Sequence, residues 1–354
     1  MSKVFRELLK KVGSGTHTGE DLSRKEAAEA TRMMLVGEAT PAQIGAFMIA
    51  HRIKRPTGEE LAGMLDAYDE LGPKLQPCDR FKSEVVVLGI PYDGRSRTAP
   101  IGPLTALILT AAGVPVIMHG ADRMPTKEGL PLIDIWQGLE VDWTKLSLAQ
   151  TQQVFESTGL GFVYLPQHFH LAAEFVSYRD QIGKRPPFAT MELMWCPYAG
   201  DAHIVSGFVH PPTENMFRDT FALRGIQHFT TVKGLEGSCD LPRDRTAIIG
   251  IAKPDAEFER LHLAHNDYGF SNKNPSLDST AELIEQMQSV LQVKPSEMMQ
   301  SAIWNGGFYL WNSGVSPDMH SGIAEATALL TSGQVVKKLQ EIRKAVASFQ
   351  IVSV

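Results

Sequence analysis

The stretch Glu84-Val-Val-Val-Leu-Gly89-Ile-Pro-Tyr-Asp93-Gly94-Arg95-Ser-Arg97-Thr98-Ala-Pro-Ile-Gly102-Pro103 decides how the rest of the chain reads. It begins with an unbroken run of β-branched and aliphatic residues that stops at glycine, the pattern of a strand buried on both faces. Its end opens a helix, because the fixed φ of Pro103 suits a first helical turn. Buried strand, polar turn and helix in succession form the repeating unit of a parallel sheet covered by helices.

The same alternation continues downstream. Residues 114–117, 161–165, 203–209 and 227–232 read as further short strands, with helices after Ser147-Leu-Ala-Gln150 and over 213–223. The tail reads as helical over 280–291, 296–310, 323–331 and 335–345. Upstream of Pro77 the pattern is different. Ser23-Arg-Lys-Glu26, Thr40-Pro41-Ala-Gln43 and Thr57-Gly-Glu-Glu60 are capping-box patterns, each followed by residues that place an apolar stripe on one helix face. Short helices of this kind bury their stripes against one another or against a second subunit. The expected fold is therefore α/β. A small N-terminal helical bundle spans 1–77 and is completed by helices near 168–190; a larger α/β domain with a mainly parallel sheet spans 78–354. A chain of 354 residues suits two domains, since single cores stop growing near ~250–300 residues.

Composition narrows the function. The 3 cysteines, Cys78, Cys196 and Cys239, are scattered without a C-x-x-C pair, so neither a disulfide framework nor a thiolate zinc site is indicated. A reducing, cytoplasmic setting is expected. The first residues form a charged amphipathic pattern unlike a signal peptide, and no apolar run approaches the ~20 residues that span a bilayer. A net charge of -6, with no dense basic tract, does not favour a nucleic-acid partner.

Residues fit for chemistry cluster after the expected strands. Gly89 and Gly94 permit tight turns, Arg95 and Arg97 can fork onto phosphate, and Asp93 can orient an arginine or a hydroxyl. The alternative is a surface turn whose charges pair with each other. The loop is neither G-x-G-x-x-G nor a Walker A sequence. His119 follows a strand and reads equally as a phosphate or proton-transfer group and as a structural histidine. His168 and His170 lack a recognisable third metal ligand. Arg179 and Lys184-Arg185 suit an anionic ligand or a solvated helix end, and Cys196 reads as a packed thiol. Glu236 and Asp240 follow the last strand, where carboxylates can hold Mg²⁺ or form an ordinary acidic loop.

Read together, these residues resemble the anthranilate phosphoribosyltransferase family, particularly its divergent second branch. The resemblance covers nearly the whole chain and is strongest in Gly37-Glu-Ala-Thr-Pro-Ala-Gln-Ile-Gly-Ala-Phe-Met-Ile-Ala-His-Arg-Ile-Lys54 and Thr57-Gly-Glu-Glu-Leu-Ala-Gly63, which resemble that family's helical dimerisation domain. It implies a cytoplasmic homodimer, paired through the N-terminal helices. The implied activity is transfer of the phosphoribosyl group of phosphoribosyl pyrophosphate (PRPP) to anthranilate, with Mg²⁺, in tryptophan biosynthesis.

The family's pyrophosphate loop, G-T-G-G-D-G, becomes Gly89-Ile-Pro-Tyr-Asp93-Gly94. The following N-x-S-T becomes Ala99-Pro-Ile-Gly102, and K-H-G-N becomes Met118-His119-Gly120-Ala121. By the same resemblance Gly89, Asp93, Gly94 and His119 are phosphate-side residues, and Arg179 and Arg185 contact the acceptor. The metal-binding Asp-Glu pair falls on Cys239-Asp240. The departures predict that turnover with PRPP and anthranilate is absent or weak. The expected protein binds a phosphorylated sugar and a small aromatic acceptor; the alternative is a non-catalytic metabolite- or nucleic-acid-binding protein on the same fold.

Overall fold

The computed structural model describes residues 3–15 and 18–350. Met1 and Ser2, the first residues of the expected N-terminal helix, lie outside the described residues.

Four helices open the chain: α1 (Lys3–Gly13), α2 (Arg24–Leu35), α3 (Pro41–Lys54) and α4 (Gly58–Leu71). All three capping boxes form, with Ser23, Thr40 and Thr57 each accepting from the third backbone N–H of its helix. Five parallel strands follow: β1 (Val85–Gly89), β2 (Val116–Gly120), β3 (Leu160–Tyr164), β4 (Ala202–Gly207) and β5 (Phe229–Val232). Two antiparallel strands, β6 (Ala247–Ala252) and β7 (Glu259–Leu263), extend the sheet to the order β3-β2-β1-β4-β5-β6-β7. The fold is thus a helical bundle joined to a larger α/β domain whose sheet is mainly parallel.

The antiparallel pair was not legible. Ala247-Ile-Ile-Gly-Ile-Ala252 is a plain apolar run, but Glu259-Arg-Leu-His-Leu263 is an exposed edge strand. Its charge blunts an unpaired sheet edge, and its only apolar alternation, Leu261 and Leu263, is too short to stand out.

Alternation along the strands divides the core. Val86 and Leu88 join Val116, Met118 and Phe162 beneath the helices Glu297–Asn312, Met319–Thr331 and Gln334–Gln350. Val85, Val87, Ile117 and Val163 face the other way and share one core with Phe5, Met48, Leu61 and Tyr68 of the bundle. Helices Phe175–Ile182 and Phe188–Met191 pack on α3 and α4, and Pro211–Leu223 packs on α4. One face of the sheet is therefore covered by the bundle, which brings the bundle's rim up to the carboxyl ends of the strands.

β2 runs farther than the sequence pattern suggests, from Val116 through Gly120 rather than stopping at Ile117. That shift decides the environment of His119.

Candidate functional site

Chain connectivity reverses between β1 and β4, because β2 and β3 lie to one side of β1 and all later strands to the other. At such a switch point the loops leaving adjacent strands diverge and open a crevice. A cleft of about 480 Å³ lies there, lined by Arg52 of α3 and by Asp93, Arg97, Lys127, Arg185 and Glu236.

The loop after β1 is tightly specified. Gly94 has φ 70°, and a Cβ there would meet the backbone of Gly129 at 2.5 Å, so no other residue fits without displacing that chain. Gly89 serves packing rather than phosphate, since its Cβ would stand 2.0 Å from the Leu193 carbonyl oxygen.

Arg95 does not form the free anion site expected of it. Its side chain is 2 % exposed and every donor is engaged. Nη1 donates to Ser238 Oγ (2.7 Å) and Asp240 Oδ2 (2.8 Å), Nη2 to Thr98 Oγ1 and the Ala99 carbonyl, and Nε to Glu236 Oε1 (3.4 Å). A buried guanidinium must be neutralised and hydrogen-bonded, and here the protein does both itself. Arg97 is the opposite case: its side chain is 80 % exposed, with only a distant approach to Glu236 of 3.9 Å. The two arginines point into different environments and do not act as a pair.

The carboxylates expected to hold a metal are equally committed. Asp240 Oδ2 accepts from Arg95 and from the Ile101 N–H (2.8 Å), which fixes the entry to the helix α5 (Gly102–Ala111). Cys239 is buried, with Sγ against the carbonyls of Gly89 and Val205, and burial pushes its thiol up. Glu236 gathers backbone N–H groups instead. Its Oε1 accepts from Arg97 N (3.0 Å), Thr98 N (3.0 Å) and Thr98 Oγ1 (2.9 Å). Its Oε2 accepts from Ser96 N and Oγ (both 3.2 Å) and lies 2.8 Å from Lys127 Nζ. Among the described residues no three His, Cys, Asp or Glu side chains gather as a metal cluster. Asp240 and Glu236 do not form a Mg²⁺ site as they stand: Asp240 Oδ2 and both Glu236 oxygens already face cations and N–H groups.

His119 is an interior strand residue, 0 % exposed, rather than a residue of the loop beyond. Its ring stacks edgewise between Tyr92 and Trp195, at 5.4 and 5.2 Å, and Nδ1 pairs with the Tyr92 hydroxyl. Burial lowers its pKa to about 3, so it is neutral and presents no charge to a phosphate.

Arg179 is also buried, paired with Glu192. Burial raises Glu192 to about 6, against the pull of Arg179, so the acceptor contact expected of Arg179 meets a guanidinium already engaged. Arg185 does reach the cleft. Half exposed, it places Nη1 2.6 Å from Asp93 Oδ2, while Asp93 Oδ1 is buried with no hydrogen-bond partner. His168 bridges the Tyr164 N–H and the Leu146 carbonyl, which is a structural role.

Two cleft cations escaped the sequence reading. Lys127 lies in a turn with no recognisable motif and also donates to the Gly94 carbonyl (2.7 Å). Arg52 belongs to the helix run that reads as scaffold, and its Nη1 donates to the Arg185 carbonyl (2.6 Å).

Residues 6–72 match the model of the glycosyl transferase family helical bundle domain, and residues 94–336 match that of the family's a/b domain. The chain is 25 % identical over 327 residues to the anthranilate phosphoribosyltransferase of Chromobacterium violaceum, covering 92 % of this chain and 94 % of that one. It is 27 % identical over 342 residues to the enzyme of the same name from Acidithiobacillus ferrooxidans, covering 96 % and 98 %. Among solved structures, the anthranilate phosphoribosyltransferase of Thermus thermophilus superposes with TM-score 0.79 at 18 % identity, covering 98 % of this chain and 100 % of that one. The Saccharomyces cerevisiae enzyme in complex with PRPP and Mg superposes with TM-score 0.81 at 15 % identity, covering 97 % and 98 %. Among the described residues no helix is long and apolar enough to cross a membrane.

Proposed function

We infer, because the chain belongs to the glycosyl transferase family whose helical bundle and α/β domains it carries in order, that its switch-point cleft binds a phosphorylated sugar of the PRPP type beside a small aromatic acceptor. The reading is of a phosphoribosyltransferase-like protein. Transfer from such a sugar develops positive charge at the sugar carbon as a diphosphate departs, so positioning and charge stabilisation carry the chemistry. Arg52, Arg97, Lys127 and Arg185 supply four cations to the cleft lining.

The observation that carries this reading is Asp93. One carboxylate oxygen is fixed by Arg185 and the other is a buried acceptor without a donor. An unmet buried acceptor costs about 1–3 kcal/mol, and a ligand hydroxyl would remove that cost. A sugar supplies hydroxyls within reach of its phosphates. Mg²⁺ would enter with the ligand's own phosphate oxygens, since Asp240 and Glu236 are engaged elsewhere.

A second reading, ligand binding without turnover, is favoured by the burial of Arg179 in its pair with Glu192. Pyrophosphate release from PRPP in the presence of anthranilate separates the two. We also propose that two chains pair through the N-terminal helices, where Ala46, Ile49, Ile53 and Ile182 line an apolar depression. A monomer mass by light scattering would end that part of the reading.

Calorimetric titration of PRPP and ribose 5-phosphate into wild type and Asp93→Asn tests the main proposal. Wild type is expected to bind PRPP, and the variant to bind it at least ~10-fold more weakly, the loss of roughly one charge-assisted hydrogen bond. Absence of binding to wild type, with or without Mg²⁺, refutes it.

A further inference from the structure

The turn after β1 presents three consecutive backbone N–H groups, from Ser96, Arg97 and Thr98, toward one point. The Ser96 and Thr98 hydroxyls and the Lys127 ammonium converge there as well. Such a concavity of amides with a cation beside it is a nest for an anion. An anion is already in it. Both oxygens of Glu236 are taken up by these donors, and the side chain is 4 % exposed although it lines the cleft.

We propose that Glu236 is a built-in occupant of a diphosphate-binding nest, and that its carboxylate must withdraw before a ligand's diphosphate can enter. The proposal rests on the reading of the cleft as a phosphorylated-sugar site, and it adds a gate to that site.

Three features support it. First, the donors suit a tetrahedral oxyanion as well as a carboxylate, because backbone N–H groups and an ammonium are sequence-neutral phosphate ligands. Second, Glu236 and a phosphate cannot share the donors: two anions held within a few ångströms in a partly buried cleft repel strongly. Burial opposes ionisation of Glu236, but Lys127 and the N–H groups of Thr98 and Arg97 hold its carboxyl well below the usual range, so it stays charged. Third, Glu236 is held in a conformation that side-chain-bearing residues seldom adopt. Its φ and ψ are 53° and 26°, and Gly237 beside it has φ 81°. A segment of this kind can swing away by returning Glu236 to ordinary backbone angles.

Arg95 is excluded from the gate. Only its Nε approaches Glu236, at 3.4 Å, while Nη1 and Nη2 are divided among Asp240, Ser238, Thr98 and the Ala99 carbonyl, and those four bonds hold the loop together whether Glu236 is in or out.

The test is calorimetric titration of inorganic pyrophosphate, and separately of PRPP, into wild type, Glu236→Gln and Glu236→Gln/Lys127→Ala at low ionic strength. Glu236→Gln is expected to bind pyrophosphate at least ~10-fold more tightly than wild type, and the double variant to lose that gain. A larger gain for PRPP than for pyrophosphate would mark the nest as serving a sugar-borne diphosphate. Equal or weaker pyrophosphate binding by Glu236→Gln, in a protein that still unfolds cooperatively, overturns the proposal. Should that variant not fold, Glu236→Gly takes its place, since glycine suits the left-handed turn. If neither folds, Glu236 is a structural strut and the proposal fails. The two readings fail separately. A pyrophosphate gain in Glu236→Gln, with no PRPP binding by wild type or by the variant, keeps the gate and removes the proposed function. PRPP binding by wild type without any gain does the reverse.

Discussion

Two buried glutamates in this protein do the same electrostatic work in different places. Glu60, on α4 and 0 % exposed, accepts from the Leu22 N–H (2.9 Å) and the Thr57 N–H (2.8 Å), and pairs with Lys54 (2.8 Å) and His51 (3.3 Å). Glu236 accepts from the amides of residues 96–98 and pairs with Lys127. In both, a carboxylate gathers backbone N–H groups, at least one of them from distant chain, and one lysine. Glu60 belongs to a capping box on a regular helix and ties α4 to the segment before α2. Glu236 sits in a left-handed turn at the wall of the cleft. The chemistry of the knot does not reveal its role; its position and backbone conformation do.

The comparison breaks most visibly at Arg95, the cation that braces the cleft knot from behind. Arg95→Ala leaves Asp240 buried without its counter-charge, and loss of one partner of a buried pair costs about 3–5 kcal/mol. Urea unfolding should show this as a large drop in midpoint, with little change in slope. A loss below ~1 kcal/mol would mean that the loop relaxes to admit water.

Glu60 sharpens the contrast through pH. Burial opposes its ionisation, but His51, Lys54 and the Leu22 N–H outweigh it and lower its pKa to about 2, from 4.5 when unfolded. A folded pKa below the unfolded one adds stability that is complete above about pH 4.5 and fades as pH falls toward 2. The linkage amounts to roughly 3 kcal/mol. Glu60→Gln should therefore be destabilised by about that much at pH 7 and by much less at pH 2.5, as measured by urea unfolding at both values. Pyrophosphate should not restore it. If the ligand raised the stability of Glu60→Gln more than that of wild type, the two knots would be coupled and the contrast lost.

The smallest effect belongs to Arg97. With its side chain 80 % exposed, Arg97→Ala should change stability by less than ~0.5 kcal/mol, because solvent screens its approach to Glu236. Its effect should fall instead on phosphate-ester affinity, a few-fold at low salt and vanishing near ~0.5 M salt. A loss that survived high salt would make Arg97 a direct, desolvated ligand.

These contrasts trace how much could be read from residues in order. The Glu60 capping box is local: Thr57 and Glu60 lie three residues apart, so a pattern search finds it. The Glu236 knot joins residues 138 to 140 positions apart, and Lys127 comes from a third segment, so no window contains it. His119 shows the same limit at the scale of one strand. Ending β2 at Ile117 would leave it in a loop, but pairing of His119 with Val163 and of Gly120 with Tyr164 carries the strand onward and buries the ring.

The sequence by itself determined the α/β class, the leading helical bundle, the five parallel strands and the family, because periodicity, capping and strand-turn-helix succession are local consequences of backbone geometry. It also marked the loop after β1 as the place where chemistry would gather. Only the tertiary structure decided which charges there are free. Arg95, Arg179 and Asp240 are spent on partners that the fold brings from elsewhere, while Arg97, Arg185 and Lys127 line the cleft. The reason is physical. A charge taken out of water must find a counter-charge or hydrogen bonds, and which side chains are taken out of water is settled by packing between segments far apart in the chain.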